Sequence, residues 1–139
     1  MAYMGGYDDH DCWWRCIAYF QSCGENYDAD AAMGIARGYF GDNFDENSYA
    51  FTGTRHDAQN FVNAYFSGME GNYCNGQILI FNPSTISGWS GDGSYHAVVV
   101  TGNDGSGHLF IFDPRSGMSG IIDQEEVGSS GYLITVGNN

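Results

Sequence analysis

The chain predicts an α+β fold in a single domain, residues 1–139, with a helical half over about residues 1–75 and an antiparallel β half over about 76–139. Three observations carry that expectation. Before residue 75 apolar residues recur at helical spacing behind recognisable caps, and from Gly76 onward the apolar runs become short and strand-like. A length of 139 residues suffices for one hydrophobic core and is too short for two ordinary domains. Helices first and strands second form two lobes with a cleft between them.

Residues 1–11 are rich in Gly and Asp and predict no regular element. A first helix is expected from about Asp11 to Ser22, with Trp13, Cys16, Ile17 and Phe20 on its buried side and Gly24 as a left-handed cap. A second runs from Asp28 to about Phe40 on Ala31, Ala32, Ile35, Ala36 and Tyr39, weakened by Gly34 and Gly38. Gly41 to Thr54 reads as a polar loop. Thr54-Arg55-His56-Asp57 has the form of a capping box and opens a third helix to about Phe66, with Phe61, Val62, Tyr65 and Phe66 inward.

The period then changes. Gln77 to Phe81 is a fully apolar strand stopped by Asn82-Pro83, followed by a Ser/Gly-rich loop from Ser84 to Ser94 that contains Trp89. His96 to Thr101 and His108 to Phe112 form a hairpin about the turn Asn103-Asp104-Gly105, and Tyr132 to Val136 is the last strand.

Composition narrows the function. Seventeen acids against four arginines and no lysine give a formal charge of −13, which leaves nothing to neutralise phosphates and excludes nucleic acid and anionic membrane as partners. Such a surface repels acidic substrates and tolerates basic or neutral ones. No transmembrane run or secretory apolar region is present. The expected protein is soluble: secreted or host-directed if a leader has been removed, otherwise cytoplasmic. Cys12 and Cys16 stand one helical turn apart, a poor geometry for bridging each other, whereas Cys23 and Cys74 could pair in an oxidising compartment.

Three residues stand where chemistry is expected. Cys12 opens a helix, and the positive end of the helix dipole favours a thiolate there. His96 opens a strand, and Asp113 closes the strand that pairs back on it, so the two lie at the same open end of the hairpin. Nucleophile, base and orienting acid are the needs of thiol catalysis. Each position also has a bland reading, as core cysteine, strand-capping histidine and turn punctuation. Only their combination argues for an enzyme.

The motifs also resemble a family. Gly6-Tyr7-Asp8-Asp9-His10-Asp11-Cys12-Trp13-Trp14-Arg15-Cys16-Ile17-Ala18 is similar to the start of the bacteriocin-processing, double-glycine peptidases. Gln77 to Phe81, His96 to Gly102 and Phe110 to Pro114 resemble their pre-histidine strand, histidine strand and Asp-Pro, and residues 117 to 134 resemble their closing segment. The segment from Cys23 to Cys74 has no counterpart. The resemblance implies a papain-like cysteine peptidase that hydrolyses a peptide or protein substrate through an acyl-thioenzyme, without cofactor or metal. Cys12 would be the nucleophile, His96 the base and Asp113 the orienting acid.

Two departures stand out. Gly6 occupies the place of a glutamine that donates to the oxyanion, and Trp13 replaces the usual glycine after the cysteine. The backbone N–H of Cys12, with Gln59 or Asn60, is the expected substitute donor. Trp13, Trp89 and Tyr95 are the candidate substrate-binding residues, Trp13 being core or cleft wall and Trp89 pocket lining or loop pin. Cys16 reads as a packing thiol. A zinc site of His10, Cys12 and Cys16 fits no common spacing, and Asp42, Asp45 and Glu46 lack the pattern of a calcium loop. The same triad would also serve a peptidoglycan amidase or endopeptidase or an acyl transferase, and Gly6 leaves room for a decayed, peptide-binding domain.

Overall fold

Helix α1, Cys12–Ser22, is apolar nearly all round and is buried accordingly, with Cys12, Trp13, Trp14, Cys16, Ile17, Ala18 and Phe20 all out of solvent. A computed structural model describes residues 2–4, 11–46, 49–69, 71–89 and 95–137 of the chain. In it α1 packs on a sheet and against a second helix, and a third helix lies on the same face of that sheet. The helix ends one residue earlier than its expected glycine cap. Cys23 itself takes the left-handed conformation, at φ 53°, and Gly24 follows at φ 82° with its N–H on the Tyr19 carbonyl at 2.8 Å.

Helix α2, Ala29–Phe40, is capped by the Asp28 carboxylate, which accepts from the Ala31 N–H at 2.8 Å. It buries Ala32 and Ala36. Tyr39, expected inward, is 51% exposed, because the small Ala32–Ala36 stripe is what packs closely and the tyrosine lies beside it. Helix α3, Arg55–Tyr65, opens on the expected capping box, with both bonds between Thr54 and Asp57 present. Around Trp14 gather the rings of Tyr39, Phe40, Phe51 and Phe61, while its indole N–H donates to the Tyr49 carbonyl at 2.8 Å.

The sheet is five-stranded and antiparallel, in the order β6-β5-β4-β3-β7. Its strands are β3 (Gly76–Phe81), β4 (His96–Asn103), β5 (His108–Asp113), β6 (Met118–Asp123) and β7 (Tyr132–Val136). Alternate residues serve two clusters. Ile78, Ile80, Ala97, Val99, Ile134 and Val136 face the helices, whereas Leu79, Phe81, Val98, Leu109, Ile111 and Ile122 face the other way, toward Ile86 and Val127. Gly76 carries no side chain for a spatial reason: a Cβ there would collide with the ring of Phe20.

Three elements depart from expectation. Ala2–Met4, within the stretch expected to be irregular, is strand β1 and pairs with β2 (Phe51–Gly53), within the expected loop. Each is three residues long, too short to show a period, and the pairing is set by a partner some fifty residues away. Strand β6 was also not expected. It is an edge strand that buries only Ile122 and leaves Ile121 62% exposed, so it carries no alternating signal. A short helix, α4 (Gln124–Val127), follows it.

Cys23 and Cys74 form a disulfide with Cα atoms 5.2 Å apart, tying the end of α1 to the entry of β3. Among the described residues no helix is long and apolar enough to cross a membrane.

Candidate active site

The site is assembled from the first residue of α1 and the adjoining ends of β4 and β5. His96 and Asp113 share a face only because the hairpin between them is irregular. Val99 pairs with Phe112 and Val100 with Ile111, but Gly102 pairs with Phe110 and Asn103 with Leu109, so the register slips by one residue at Thr101. Paired residues share a face, and the first register puts Asp113 on the face of Val98 and His96. Continued without the slip, the second would pair Asp113 with Val99 and turn it toward the helices.

His96 Nε2 lies 2.9 Å from Asp113 Oδ2, the hydrogen bond expected from the sequence. The carboxylate is fixed from its other side. Its Oδ1 accepts from the Arg115 backbone N–H at 3.0 Å, and the Ser116 side chain adds a further hydrogen bond. Cys12 lies close enough to the imidazole for its thiol to help raise the His96 pKa. With Nε2 engaged by Asp113, the nitrogen facing sulfur is Nδ1. The His96 ring sits where the two clusters meet, with Cys12 from one side and Phe81 and Trp89 from the other, their ring centroids 5.9 and 6.0 Å away.

Electrostatics follow from this geometry. Burial of His96 disfavours the imidazolium, but the hydrogen bonds and charges of Asp113 and Cys12 outweigh it and push its pKa up to about 10. Burial likewise opposes the Asp113 carboxylate, and the bond to His96 outweighs that, holding it below the usual value. Cys16 is pushed well above the ordinary thiol value by burial first, then by the charges of Cys12, Asp113 and Asp11. A thiol so placed is inert, in keeping with a packing role.

The other sequence-chosen residues divide. Trp89, half-buried, stands against the His96 ring. Trp13 does not line a cleft: it is 0% exposed and packs on Phe51 and Phe61, because its place on α1 turns it toward α3 and β2. Tyr95 is half-buried against the helix-side cluster, which strand alternation sets on the face opposite to His96.

Gln59 and Asn60 do not serve the oxyanion. Gln59 donates to the Thr135 carbonyl at 2.8 Å and accepts from its N–H at 2.9 Å. Thr135 lies in the row of Gln77 and Val100, four residues from the row of Phe81 and His96, a distance of about 13 Å along the strands. The Asn60 amide pairs with His56 at 3.3 Å on an exposed face. Gly6 and His10 lie outside the described residues. Among those described, no group of three or more His, Cys, Asp or Glu is arranged to hold a metal.

Arg115, Ser116, Phe81 and the slip at Thr101 went unrecognised in the sequence. Arg115 had one signal, as one of only four cations in an acidic chain. A groove of about 760 Å³ lies elsewhere, among α1, α2 and α3, lined by Ile35, Tyr39, Phe61 and Tyr65. Set against known proteins, the chain matches no family model, no curated protein and no solved structure.

Proposed function

We propose that the protein is a papain-like cysteine peptidase that cleaves a peptide bond through an acyl-thioenzyme, with Cys12 as nucleophile, His96 as base and acid, and Asp113 as orienting carboxylate. The observation that carries this reading is the His96–Asp113 pair at 2.9 Å, with Cys12 near enough to the same ring to act on its charge. Sulfur, having given its proton to His96, attacks the peptide carbonyl and a C–S bond forms. The developing oxyanion meets the backbone N–H of Cys12 at the start of α1. His96 then protonates the leaving amine as the C–N bond breaks. Water, deprotonated by His96, attacks the thioester and frees the acid and the thiol. Asp113 holds the imidazole in one orientation throughout and favours its charged form.

The acidic surface favours basic or neutral peptides, and a small residue at the cleaved position suits the family that the motifs resemble. Incubation with a mixed peptide library, read by mass spectrometry, tests the proposal. Cleavage by the natural chain that disappears in Cys12→Ala supports it, and cleavage that survives the substitution contradicts it.

One observation favours a second reading, a domain that holds a peptide without cutting it: Cys12 is only 1% exposed. Saturable binding of a library peptide with no product after prolonged incubation would select that reading.

A further inference from the structure

Asp11 is the residue before the nucleophile and stands at the N-cap of α1, where an aspartate ordinarily accepts from the first free N–H groups of the helix. It makes no such bond. Its carboxylate is wholly buried and turned instead toward two guanidinium groups. Arg15 Nε reaches Oδ2 at 2.8 Å from one turn along α1, and Arg115 Nε stands 3.9 Å from Oδ1. Two of the four cations in the chain thus converge on one buried acid.

Arg115 has a second contact. Its backbone N–H is the donor that fixes Asp113 Oδ1 at 3.0 Å. One residue of the β5–β6 turn therefore touches both the carboxylate that orients His96 and the residue bonded to Cys12. Tyr19 of α1 and Phe112 of β5 also pack ring against ring at 5.8 Å, but among the residues named in the site Arg115 is the one that touches both Asp11 and Asp113.

We infer that Asp11 and Arg115 are positioning residues, whose ion pair clamps the helix bearing Cys12 to the turn that holds Asp113. The inference rests on the thiol-enzyme reading above. A loosened clamp lets the start of α1 move relative to the β4–β5 end, and a shift of about 1 Å is enough to misalign a nucleophile and its base. The clamp also screens Cys12 from the charge of its neighbour, since an unpaired carboxylate at Asp11 would oppose formation of a thiolate. Arg15 supplies part of that screening from within α1 and leaves the tie between the two halves to Arg115.

The test is alkylation of Cys12 by iodoacetamide, measured at pH 6 and pH 9, in the natural chain, Arg115→Gln, Arg115→Lys, Asp11→Asn and the double variant. Peptide mapping by mass spectrometry assigns the label between the two free thiols, Cys12 and Cys16, Cys23 being bonded to Cys74. Circular dichroism and the melting temperature are read alongside. The clamp predicts that Arg115→Gln loses tenfold or more of its pH 6 rate relative to pH 9 while still folded. Arg115→Lys should recover most of that loss, and the double variant should be no worse than the poorer single one. Arg115 is partly exposed, so its variant tests the clamp even if Asp11→Asn fails to fold. A natural chain with the expected reactivity and an Arg115→Gln profile within twofold of it, whatever its melting temperature, overturns the clamp alone. A natural chain with no reactivity at pH 6 overturns the thiol-enzyme reading itself, and the positioning role with it.

Discussion

His96 and Asp113 meet at 2.9 Å because one residue, Thr101, is left out of the ladder between their strands. The slip is the sort of local fault that strand pairing tolerates and that sites exploit. It brings the carboxylate to the face of the imidazole, at the end of the sheet that α1 approaches with Cys12.

Asp113→Asn removes the charge and keeps the shape. An amide stabilises the imidazolium less than a carboxylate does, so the charged histidine that supports the thiolate is weakened. Turnover of a peptide found by library screening should fall by a factor of about 100 or more, with kcat affected more than KM. Steady-state kinetics on the purified variant check this.

Trp89→Ala opens the His96–Asp113 pair to water, and the loss of shielding should lower kcat by about tenfold, the worth of one weakened hydrogen bond. Trp89→Phe should retain most of the rate. Fluorescence supplies a check free of substrate. Trp13 and Trp14 are wholly buried and Trp89 is not, so the fraction of emission quenched by acrylamide should vanish with Trp89.

The Cys23–Cys74 disulfide closes a loop with a separation of 51 residues. On chain-entropy grounds its loss should cost about 4 kcal/mol. Urea unfolding with and without reductant should show this difference, and Cys23→Ser with Cys74→Ser should remove the dependence on reductant.

Stability should depend on pH through the same pair. A histidine whose pKa is raised to about 10 stabilises the fold fully below its unfolded value, near 6.5, and loses that contribution as pH rises through about 10. The lowered Asp113 acts in the opposite sense, contributing above about 3.8 and losing it as pH falls further. The stability difference between the natural chain and His96→Gln should therefore be largest between about pH 4 and 6.5 and decline on either side, as urea midpoints across pH would show.

Much of this was legible from local pattern. The capping box at Thr54, the helix starting at Asp28, the apolar run Gln77 to Phe81 and the hairpin of His96 to Thr101 with His108 to Phe112 are short-range signals, and each is found in the structure. The misses are non-local or edge features. Ala2–Met4 is a strand only because Phe51–Gly53 lies beside it, and β6 is half exposed. The Asp11 carboxylate bonds Arg15 one turn along α1 at 2.8 Å, a local contact, whereas Arg115 at 3.9 Å comes from a turn some hundred residues away that no local pattern reveals. Trp13 was ambiguous because helical spacing does not say which side of a buried helix faces a cleft, and here both sides are covered.

The most direct measurement is the pH profile of Cys12 alkylation by iodoacetamide in the natural chain and in His96→Gln. A thiol paired with a histidine that stays protonated to about pH 10 should keep at least about tenfold more of its pH 9 rate at pH 6 than an ordinary thiol, and His96→Gln should lose that excess. An ordinary thiol with a pKa of about 8.5 keeps under about 1%. A natural chain that behaves like the ordinary thiol, or one that His96→Gln leaves unchanged, would contradict the account.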